Sequence, residues 1–416
     1  MVSKLAEYET VVGKLAMSKL RQLAKHLQGA TVVHVNSTKE GGGVAEILNW
    51  LVPMMNDFGL NARWEVIEGN DEYFKTTKSF HNGLQGRPTV ISKSMQQAYE
   101  GTVEENADRL RPILEEADFV VIHDPQPAAL LEQCPNRKGK WIWRCHIDVS
   151  RPYRKVWQYL KSKVSDYDAS IFSMAEFAQP LPHPEFLIAP SIDPLSEKNC
   201  NLPMDELESI ISDLGIPREL PILTQISRFD RFKDPIGVIE AFKMVTESVE
   251  AELVLAGGGA TDDPEGAAVL EEVKDAANGD EHIHILFLPS NAHRTVNALQ
   301  RISTIVIQKS LQEGFGLTVT EALWKGKPVI GGNVGGIRMQ VHNYYTGFLV
   351  DTPEGAALRI RYLLRQPGRI KAFGEIGRQF VKENFLLTRH LREYFTLMLE
   401  LKQKLSNHLL ADQAVL

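Results

Sequence analysis

Apolar positions along this chain follow two spacings, one typical of buried strands and one typical of helices. In the first half, short apolar runs, mostly rich in β-branched or aromatic residues, occupy 30–36, 62–67, 119–123, 141–146, 169–173 and 186–189. Most intervals between them carry an apolar residue every three or four positions, as in helices. This alternation predicts parallel strands that helices bury on both faces.

The second half repeats this alternation after an interval without periodicity. Residues 189–203 contain prolines and several turn formers, a composition typical of a link between domains. New apolar runs follow at 222–226, 253–256, 283–287, 304–307, 328–330 and 347–350. The pattern predicts the α/β fold class, with two doubly wound, Rossmann-like domains that face each other across an inter-domain cleft.

The expected domain bounds follow from this pattern. They are 1–200 for an acceptor-side domain, 201–390 for a nucleotide-sugar domain, and 391–416 for a C-terminal helical segment. Residues 3–28 predict a leading helix before the first strand. For the C-terminal segment, packing back on the first domain is one arrangement that the sequence leaves open.

Composition and charge limit the class of protein and its partners. The 416 residues exceed the size of one core, and 24% charged and 43% apolar residues are ordinary globular values. A net charge of −7, with positive and negative residues interspersed, disfavours nucleic acid as a binding partner. Three cysteines without a CxxC pair indicate buried thiols in a reducing compartment. With neither a signal-peptide pattern nor a long apolar run, we expect a cytoplasmic protein without a membrane partner; a homodimer is left open.

The segment 313–321, EGFGLTVTE, carries the most informative chemistry of the second half. Gly314 and Gly316 let the backbone approach a ligand, and the helix that follows presents unpaired N–H groups suited to an anion. Glu313 precedes that helix and Glu321 lies about one turn inside it. Both carboxylates are able to accept hydrogen bonds from hydroxyls of one ligand. The alternative is a pair of solvated acids favoured by the helix dipole.

A second element, QISRFDRFK at 225–233, follows the predicted strand at 222–226. Arg228 and Lys233 are suited to holding a diphosphate and stabilising its charge as it leaves, although surface cations are the alternative. Glycine clusters at 257–259 and 331–336 also follow predicted strands. Four strand ends with such chemistry indicate a domain that binds a nucleoside diphosphate.

These second-half motifs resemble one known enzyme family. SRFDRFK, EGFGLTVTEA and GKPVIGGNVGGI are together similar to the C-terminal half of the retaining glycosyltransferases with the GT-B fold, whose signature is the spacing of Glu313 and Glu321. The resemblance implies that Arg228 and Lys233 hold the donor diphosphate, that Glu313 contacts the transferred hexose, and that Glu321 holds the ribose. The donor phosphates would meet the backbone of Gly314, Phe315, Gly316, Leu317 and Thr318. Arg231 and the Asp234-Pro235 pair depart from the expected pattern at the next helix start.

Blocks of the first half narrow the resemblance. HVNSTKEGGGVAEIL, HDPQPAAL, WRCHID and PSIDPLSEKN look like the trehalose glycosyltransferring synthases, and fungal-type retaining trehalose phosphorylases share several of them. The resemblance implies an enzyme, a retaining hexosyltransferase that moves glucose from ADP-glucose or UDP-glucose to glucose and forms trehalose, in a direction left open. A trehalose phosphorylase and a glycosyltransferase with another small acceptor are alternatives. A binding or regulatory protein without turnover is a third hypothesis.

The first half also supplies candidate ligand contacts. The triplet 41–43 opens a predicted helix, where N–H groups of Gly42 and Gly43 would reach the donor phosphate or an acceptor hydroxyl. Polar residues at or after strand-like segments are suited to a small polyol, and the acceptor candidates are His81, Asp124 and Asp148. The resemblance makes His146 the candidate that contacts the donor hexose near the reacting carbon, grouping it with Arg228, Lys233 and Glu313 as catalytic. For each histidine, a structural role in a loop is the alternative.

The expected chemistry needs no protein-bound cofactor. No metal-ligand spacing is found, since His282 and His284 alternate as in a strand. The resemblance implies a front-face reaction, in which the diphosphate leaves and the acceptor hydroxyl enters from the same side. Mg²⁺ is expected at most as a companion of the nucleotide. The expected partners are a nucleotide-sugar donor and a small sugar acceptor.

Overall fold

The computed structural model describes residues 4–39, 42–258 and 264–413 and divides the chain into two units. The first unit comprises Met1–Pro190 and Leu387–Leu416, and the second comprises Ser191–Leu386. We had expected the second domain at 201–390, so both of its bounds are corrected. The backbone explains the difference, because Ile192 N donates to Phe385 O at 2.9 Å within the second unit. In the first unit, Arg389 donates to the carbonyls of Ala189 and Pro190.

In its described residues, the first unit contains a parallel sheet of six strands in the order β2-β1-β3-β4-β5-β6. The strands are β1 (Thr31–Asn36), β2 (Asn61–Val66), β3 (Phe119–His123), β4 (Lys140–Arg144), β5 (Ala169–Phe172) and β6 (Glu185–Leu187). Most of the residues of β1, β3, β4 and β5 are buried, as continuous apolar runs predict.

Helices cover this sheet on both faces. They are α1 (Lys4–Val12), α2 (Lys14–Lys25), α3 (Gly42–Asp57), α4 (Asp71–Leu84), α5 (Lys93–Glu116), α6 (Arg154–Val164) and the C-terminal helix (Leu387–Gln413), with short 3-10 helices at Ala128–Gln133 and Ala175–Phe177. The prediction of one leading helix was wrong. Gly13 adopts a φ of 89° between α1 and α2, a conformation that ends a right-handed helix.

The second unit contains, in its described residues, a parallel sheet of six strands in the order β12-β11-β10-β7-β8-β9. The strands are β7 (Ile222–Ile226), β8 (Glu252–Gly257), β9 (Ile283–Phe287), β10 (Ile305–Gln308), β11 (Val329–Gly332) and β12 (Gly347–Val350). The helices are α7 (Met204–Leu214), α8 (Pro235–Thr246), α9 (Pro264–Ala277), α10 (His293–Ile302), α11 (Leu317–Trp324), α12 (Ile337–Gln340), α13 (Pro353–Leu364) and α14 (Pro367–Asn384), and a 3-10 helix covers Arg231–Lys233.

In each sheet, consecutive strands are added first on one side of the starting strand and then on its other side. In the first unit, β2 and β3 lie on opposite sides of β1. In the second unit, β8 and β10 lie on opposite sides of β7. Loops at the carboxyl ends of strands diverge at such a switch point, and ligands of doubly wound sheets bind there. The β1/β3 and β7/β10 strand ends are therefore where a ligand of each unit is expected. Among the described residues, no helix is long and apolar enough to cross a membrane.

Candidate active site

Lys233 and Glu313 meet at the switch point of the second unit. Lys233 ends the 3-10 helix that follows β7, and Glu313 lies in the loop between β10 and α11. The Lys233 Nζ lies 2.5 Å from Glu313 Oε2, and the side chains are 17% and 12% exposed. Ser310 Oγ donates to the same carboxylate oxygen at 3.4 Å. Because both side chains are largely buried and paired, the interpretation of Lys233 as a surface cation was wrong.

Arg228 does not share this burial. Its side chain is 60% exposed, and its Nη2 lies 3.7 Å from Asp230 Oδ2. Arg231, the additional arginine of this loop, pairs with Glu272 at 2.5 Å on the surface. The loop therefore holds one largely buried cation, Lys233, and presents the guanidinium of Arg228 to solvent.

Asp234 explains the departure from the family pattern at this helix start. It has a left-handed φ of 52°, the conformation that glycine or asparagine favours. Its carboxylate caps α8 by accepting from Gly237 N at 3.2 Å, and Pro235 occupies the first helical position. Lys309 Nζ also pairs with this carboxylate. The Asp-Pro pair thus builds a well-capped helix beside Lys233.

The glycines around Glu313 serve close packing of two loops. Gly316, with a φ of 83°, precedes α11. A Cβ on Gly335 would lie 1.7 Å from the Glu313 carbonyl oxygen, and Gly336 N donates to Gly314 O at 2.9 Å. The cluster at 331–336 was predicted to face a ligand. In the structure, Gly335 and Gly336 support the loop that carries Glu313.

Glu321 is held by a polar network inside the second unit. It lies in α11 and is only 2% exposed, so the interpretation as a solvated acid was wrong. Gln300 Nε2 donates to its Oε2 at 3.2 Å, and Lys198 Nζ lies 3.8 Å from its Oε1. Lys325 Nζ donates to Gln300 Oε1 at 2.7 Å and to Asn199 Oδ1 at 3.0 Å. Burial lowers the pKa of Lys325, while the carboxylate of Glu321 opposes that shift.

The sequence did not single out the residues that hold Glu321. Gln300 comes from α10, and Asn199 lies more than 100 positions before Lys325. Lys325 was the one with a sequence signal, because it follows Glu321 by four positions, the spacing of ion pairs along a helix. The predicted backbone positions 314–318 lie between Glu313 and the first turn of α11, as the motif implied.

In the first unit, Asp124 positions the backbone of His146. Asp124 follows β3 with a left-handed φ of 63°, and its Oδ1 accepts from His146 N at 2.7 Å. Trp143 Nε1 donates to the Asp124 carbonyl at 3.1 Å. Burial raises the pKa of Asp124 to about 7, although the His146 hydrogen bond and the charge of Arg144 oppose this shift. The two predicted residues, in the loops after β3 and β4, are therefore joined by this hydrogen bond.

Three histidine rings form a chain at the β1/β3 switch point. His34 Nδ1 lies 3.0 Å from His123 Nε2, and His123 Nδ1 lies 2.9 Å from His146 Nε2. His34 and His123 are buried in β1 and β3, while His146 is partly exposed after β4. Burial lowers the pKa of His34 to about 3 and holds the pKa values of His123 and His146 well below 6.5. All three rings are neutral at pH 7.

The remaining first-unit candidates are placed as follows. His81 lies in the last turn of α4, so its expected position at a strand end was wrong. Asp148 is partly exposed, and its Oδ1 accepts from Ser150 N at 2.9 Å in a turn. Gly42 and Gly43 open α3, and a Cβ on Gly42 would meet no atom within 4 Å, which leaves its backbone accessible. Gly41 and Gly259, one glycine of each predicted triplet, lie outside the described residues.

Neither the cysteines nor the strand histidines form a metal site in the described ranges. No group of three or more His, Cys, Asp or Glu side chains is arranged there to hold a metal ion. His282 and His284 both contact Glu252, at 3.0 and 2.8 Å. Cys134 and Cys145 are buried thiols as expected, whereas Cys200 is partly exposed, which corrects that prediction.

Known proteins resemble almost the whole chain. The family model for the N-terminal domain of trehalose synthase matches residues 34–179, and the model for glycosyl transferases group 1 matches 207–380. The trehalose synthase of Pyrococcus horikoshii is 43% identical over 95% of this chain and 96% of its own length. That of Rubrobacter xylanophilus is 43% identical over 95% and 97%. A trehalose phosphorylase of Pleurotus pulmonarius is 26% identical over 86% of this chain and 55% of its own length.

Solved structures agree with these relatives at the level of the fold. A UDP-forming α,α-trehalose-phosphate synthase from Burkholderia xenovorans, in complex with glucose-6-phosphate, matches with a TM-score of 0.72 at 12% identity, over 89% of this chain and 100% of its own. A sucrose-phosphate synthase from Thermosynechococcus elongatus matches with a TM-score of 0.70 at 15% identity, over 90% and 100%. The predicted fold class is thus confirmed as that of GT-B glycosyltransferases. The chain belongs to the trehalose synthase family of glycosyltransferases.

Proposed function

We propose that this glycosyltransferase transfers glucose, with retention of configuration, from a nucleoside-diphosphate glucose to free glucose and so forms trehalose. The Lys233–Glu313 pair, 2.5 Å apart at the β7/β10 switch point, is the observation that carries this proposal. It places a cation beside a carboxylate where a doubly wound sheet binds a phosphorylated ligand. The family membership supports trehalose as the proposed product.

The second unit is proposed to bind the donor. Lys233 and Arg228 neutralise the diphosphate, and N–H groups at the start of α11, from Phe315 to Thr318, add hydrogen bonds to its oxygens. Glu313 accepts hydrogen bonds from hydroxyls of the transferred glucose. Glu321 accepts from the ribose, since Gln300 and Lys325 keep its side chain fixed.

The first unit is proposed to supply the sugar contacts. His146, a neutral ring with a partly exposed edge, contacts the transferred glucose near the reacting carbon. His81, Asp124 and Asp148 remain our candidates for acceptor hydroxyls, and Gly42 and Gly43 for the donor phosphate. Asp124 acts mainly through the backbone of His146, which its carboxylate holds.

The proposed reaction is a front-face substitution. The bond between C1 of glucose and the diphosphate oxygen breaks, and the acceptor oxygen bonds to C1 on the same face. The acceptor proton passes to an oxygen of the departing phosphate. A double displacement would require a free carboxylate as nucleophile. Glu313 is paired with Lys233, which supports the front-face path, and charge stabilisation by Lys233 and the α11 N–H groups supplies most of the barrier reduction.

No protein-bound cofactor is proposed, and Mg²⁺ would act only with the nucleotide. The three cysteines are free thiols, which supports the expected cytoplasmic location.

A donor-by-acceptor screen with the purified full chain tests the proposal. ADP-glucose and UDP-glucose are each combined with glucose, glucose 6-phosphate and other small sugars, and nucleoside diphosphate release and the chromatographed product are measured. We expect trehalose from glucose with at least one donor. Trehalose incubated with inorganic phosphate and no nucleotide is the second arm. Glucose 1-phosphate in that arm, without transfer in the first, would replace the synthase by a phosphorylase.

A further inference from the structure

The histidine chain of the first unit couples the buried end of β1 to His146. The rings of His34 and His123 lie 5.3 Å apart between centroids, and those of His123 and His146 also lie 5.3 Å apart, with interplanar angles of 31° and 15°. Each contact joins a ring nitrogen of one histidine to a ring nitrogen of the next. Such a contact is a hydrogen bond only when one nitrogen carries a proton and the other a lone pair.

The surroundings keep these rings uncharged. Arg144, at the end of β4, is fully buried, and its charge lowers the pKa values of His123 and His146 in addition to their burial. The C-terminal helix covers the far end, where the Tyr394 ring lies 6.0 Å from that of His34 and 5.2 Å from that of His390. His390 is also held neutral, by burial and by the charges of Arg389 and Arg144, which lower its pKa. Each neutral ring of the histidine chain therefore carries one proton, on either Nδ1 or Nε2.

Neutrality leaves two proton arrangements that satisfy both contacts. In one, His146 donates from Nε2 to His123, which donates from Nε2 to His34, and His34 then carries its own proton on Nε2. In the other, His34 donates from Nδ1 to His123, which donates from Nδ1 to His146, and His146 then carries its proton on Nδ1. Any other placement of the three protons puts two N–H groups, or two lone pairs, face to face at one of the two contacts. The tautomers of the three residues are thus linked.

His34 decides between these arrangements. Its Nε2 is buried and has no hydrogen-bond partner among the described residues. The first arrangement would leave an N–H group there without an acceptor, whereas the second leaves only a lone pair. Orphaned buried N–H groups are rarer in proteins than acceptors that lack a partner. The second arrangement is therefore favoured.

We propose that His34 and His123 are positioning residues that hold His146 in the neutral tautomer with its proton on Nδ1. His146 then presents an N–H donor at the partly exposed end of the histidine chain. This donor is suited to hydrogen bonding with a sugar hydroxyl or with the sugar ring oxygen near C1. This proposal rests on the proposed function for the identity of the ligand. The tautomer itself is a property of the free protein and is measurable whether or not glucose is transferred.

Nitrogen NMR of the ¹⁵N-histidine-labelled full chain, without substrate, tests the tautomer. We expect His146 to show a protonated Nδ1 and an unprotonated Nε2, with its signals assigned by their loss in His146→Gln. A protonated Nε2 on His146 overturns the proposal without any variant of the buried residues. The correct tautomer in a protein that transfers no glucose would overturn only the proposed function.

Two His34 variants of similar size separate positioning from packing. His34→Asn keeps an N–H donor near the position of Nδ1, while His34→Leu removes it. We expect His34→Leu to show mixed His146 tautomers and a kcat lower by about three- to tenfold, the value of one hydrogen bond, with KM for the donor nearly unchanged. His34→Asn should keep both the tautomer and kcat. Equal losses in the two variants, or none in either, would refute the positioning role, and matched melting temperatures establish that both fold.

Discussion

Lys233 and Glu313 are 80 positions apart in sequence, yet Lys233 Nζ lies 2.5 Å from Glu313 Oε2. Parallel pairing of β7 with β10 places the loops that follow them side by side. Each side chain lowers the cost of burying the other, because a buried charge without a partner is strongly disfavoured. A negative ligand at this edge would meet the ammonium of Lys233 already desolvated and fixed in place.

Replacing Lys233 by methionine should therefore remove most of the transfer activity. We expect kcat to fall by about 10²–10³-fold, the usual cost of removing a donor to a developing negative charge. Nucleoside diphosphate release with glucose as acceptor measures it.

Arg231→Met is the matched control, because Arg231 lies two positions away and pairs with Glu272 on the surface. It should change kcat less than twofold, as expected for an exposed ion pair (~0.2–1 kcal/mol). Equal losses in the two variants would show that loop charge in general, not the buried pair, supports transfer.

Gln300→Leu should weaken nucleotide binding. Glu321 loses the hydrogen bond from Gln300, and Lys325 loses one of its acceptors, so the carboxylate is no longer fixed toward the ribose. We expect Kd for the nucleoside diphosphate to rise about tenfold, as for one or two hydrogen bonds. Calorimetric titration measures Kd, and Gln379→Leu, at a surface position of α14, is the control that should leave it unchanged. An unchanged Kd in Gln300→Leu would show that Glu321 does not hold the nucleotide.

The strands were predicted within two residues at either end, because buried parallel strands appear as continuous apolar runs. The break at Gly13 was missed because apolar periodicity continues on both sides of it. The C-terminal segment of the first unit begins at Leu387, whereas 391 was predicted. A helical pattern does not reveal which domain a helix packs against. That assignment depends on contacts such as Arg389 with Ala189.

Within the site as well, residues linked by local spacing were predicted, whereas residues linked only by tertiary contacts were not. Glu313 and Glu321 were identified by their spacing within one loop and helix. Gln300, His34 and His123 act on those residues or on His146 across different elements, and no local pattern links them. His34 and His123 do lie in blocks that resemble the family, but alternation within a strand gives them an ordinary core position. Their pairing became visible only with the β1/β3 register.

Gly335→Ala should destabilise the second unit and displace Glu313. The new Cβ would lie 1.7 Å from the Glu313 carbonyl oxygen, and the φ of 45° disfavours any side chain. We expect a loss of about 1–3 kcal/mol in the free energy of unfolding, measured by denaturant titration, together with lower kcat. Gly368→Ala is the control, because a Cβ there meets nothing within 4 Å, and it should be neutral or slightly stabilising. Similar losses at both positions would mean that the close approach is not what requires Gly335.

The His282–Glu252 contact should make stability depend on pH near neutrality. The hydrogen bond to Glu252, at 3.0 Å, raises the pKa of His282 above 6.5. A group whose pKa is raised by folding stabilises the protein below its unfolded pKa, and that contribution is lost as pH rises through the folded value. We expect the melting temperature of the wild type to fall relative to His282→Gln between pH 6 and 8. Parallel curves for the two proteins over this interval would exclude a charged His282 as a stabilising group.

Asp124 should give a pH dependence that Asp124→Asn removes. Burial raises the pKa of Asp124 to about 7 from 3.8, so the protonated form favours the folded state. By linkage, the stabilisation that the protonated Asp124 contributes is complete below about pH 4 and is lost as pH rises through about 7.

Asparagine at position 124 keeps the acceptor for His146 N, tolerates the φ of 63° and does not ionise. We therefore expect Asp124→Asn to gain in free energy of unfolding relative to the wild type between pH 5 and 8. Below about pH 4, Asp124→Ala should lose about 1–3 kcal/mol, because the His146 N–H is left without an acceptor, and this deficit should shrink as pH rises and the wild type loses its Asp124 contribution. Asp148→Asn, in the neighbouring turn, controls for the loss of a carboxylate in general. A wild-type curve that stays parallel to that of Asp124→Asn would show that the Asp124 carboxylate is ionised throughout this range and that its burial does not control the turn that positions His146.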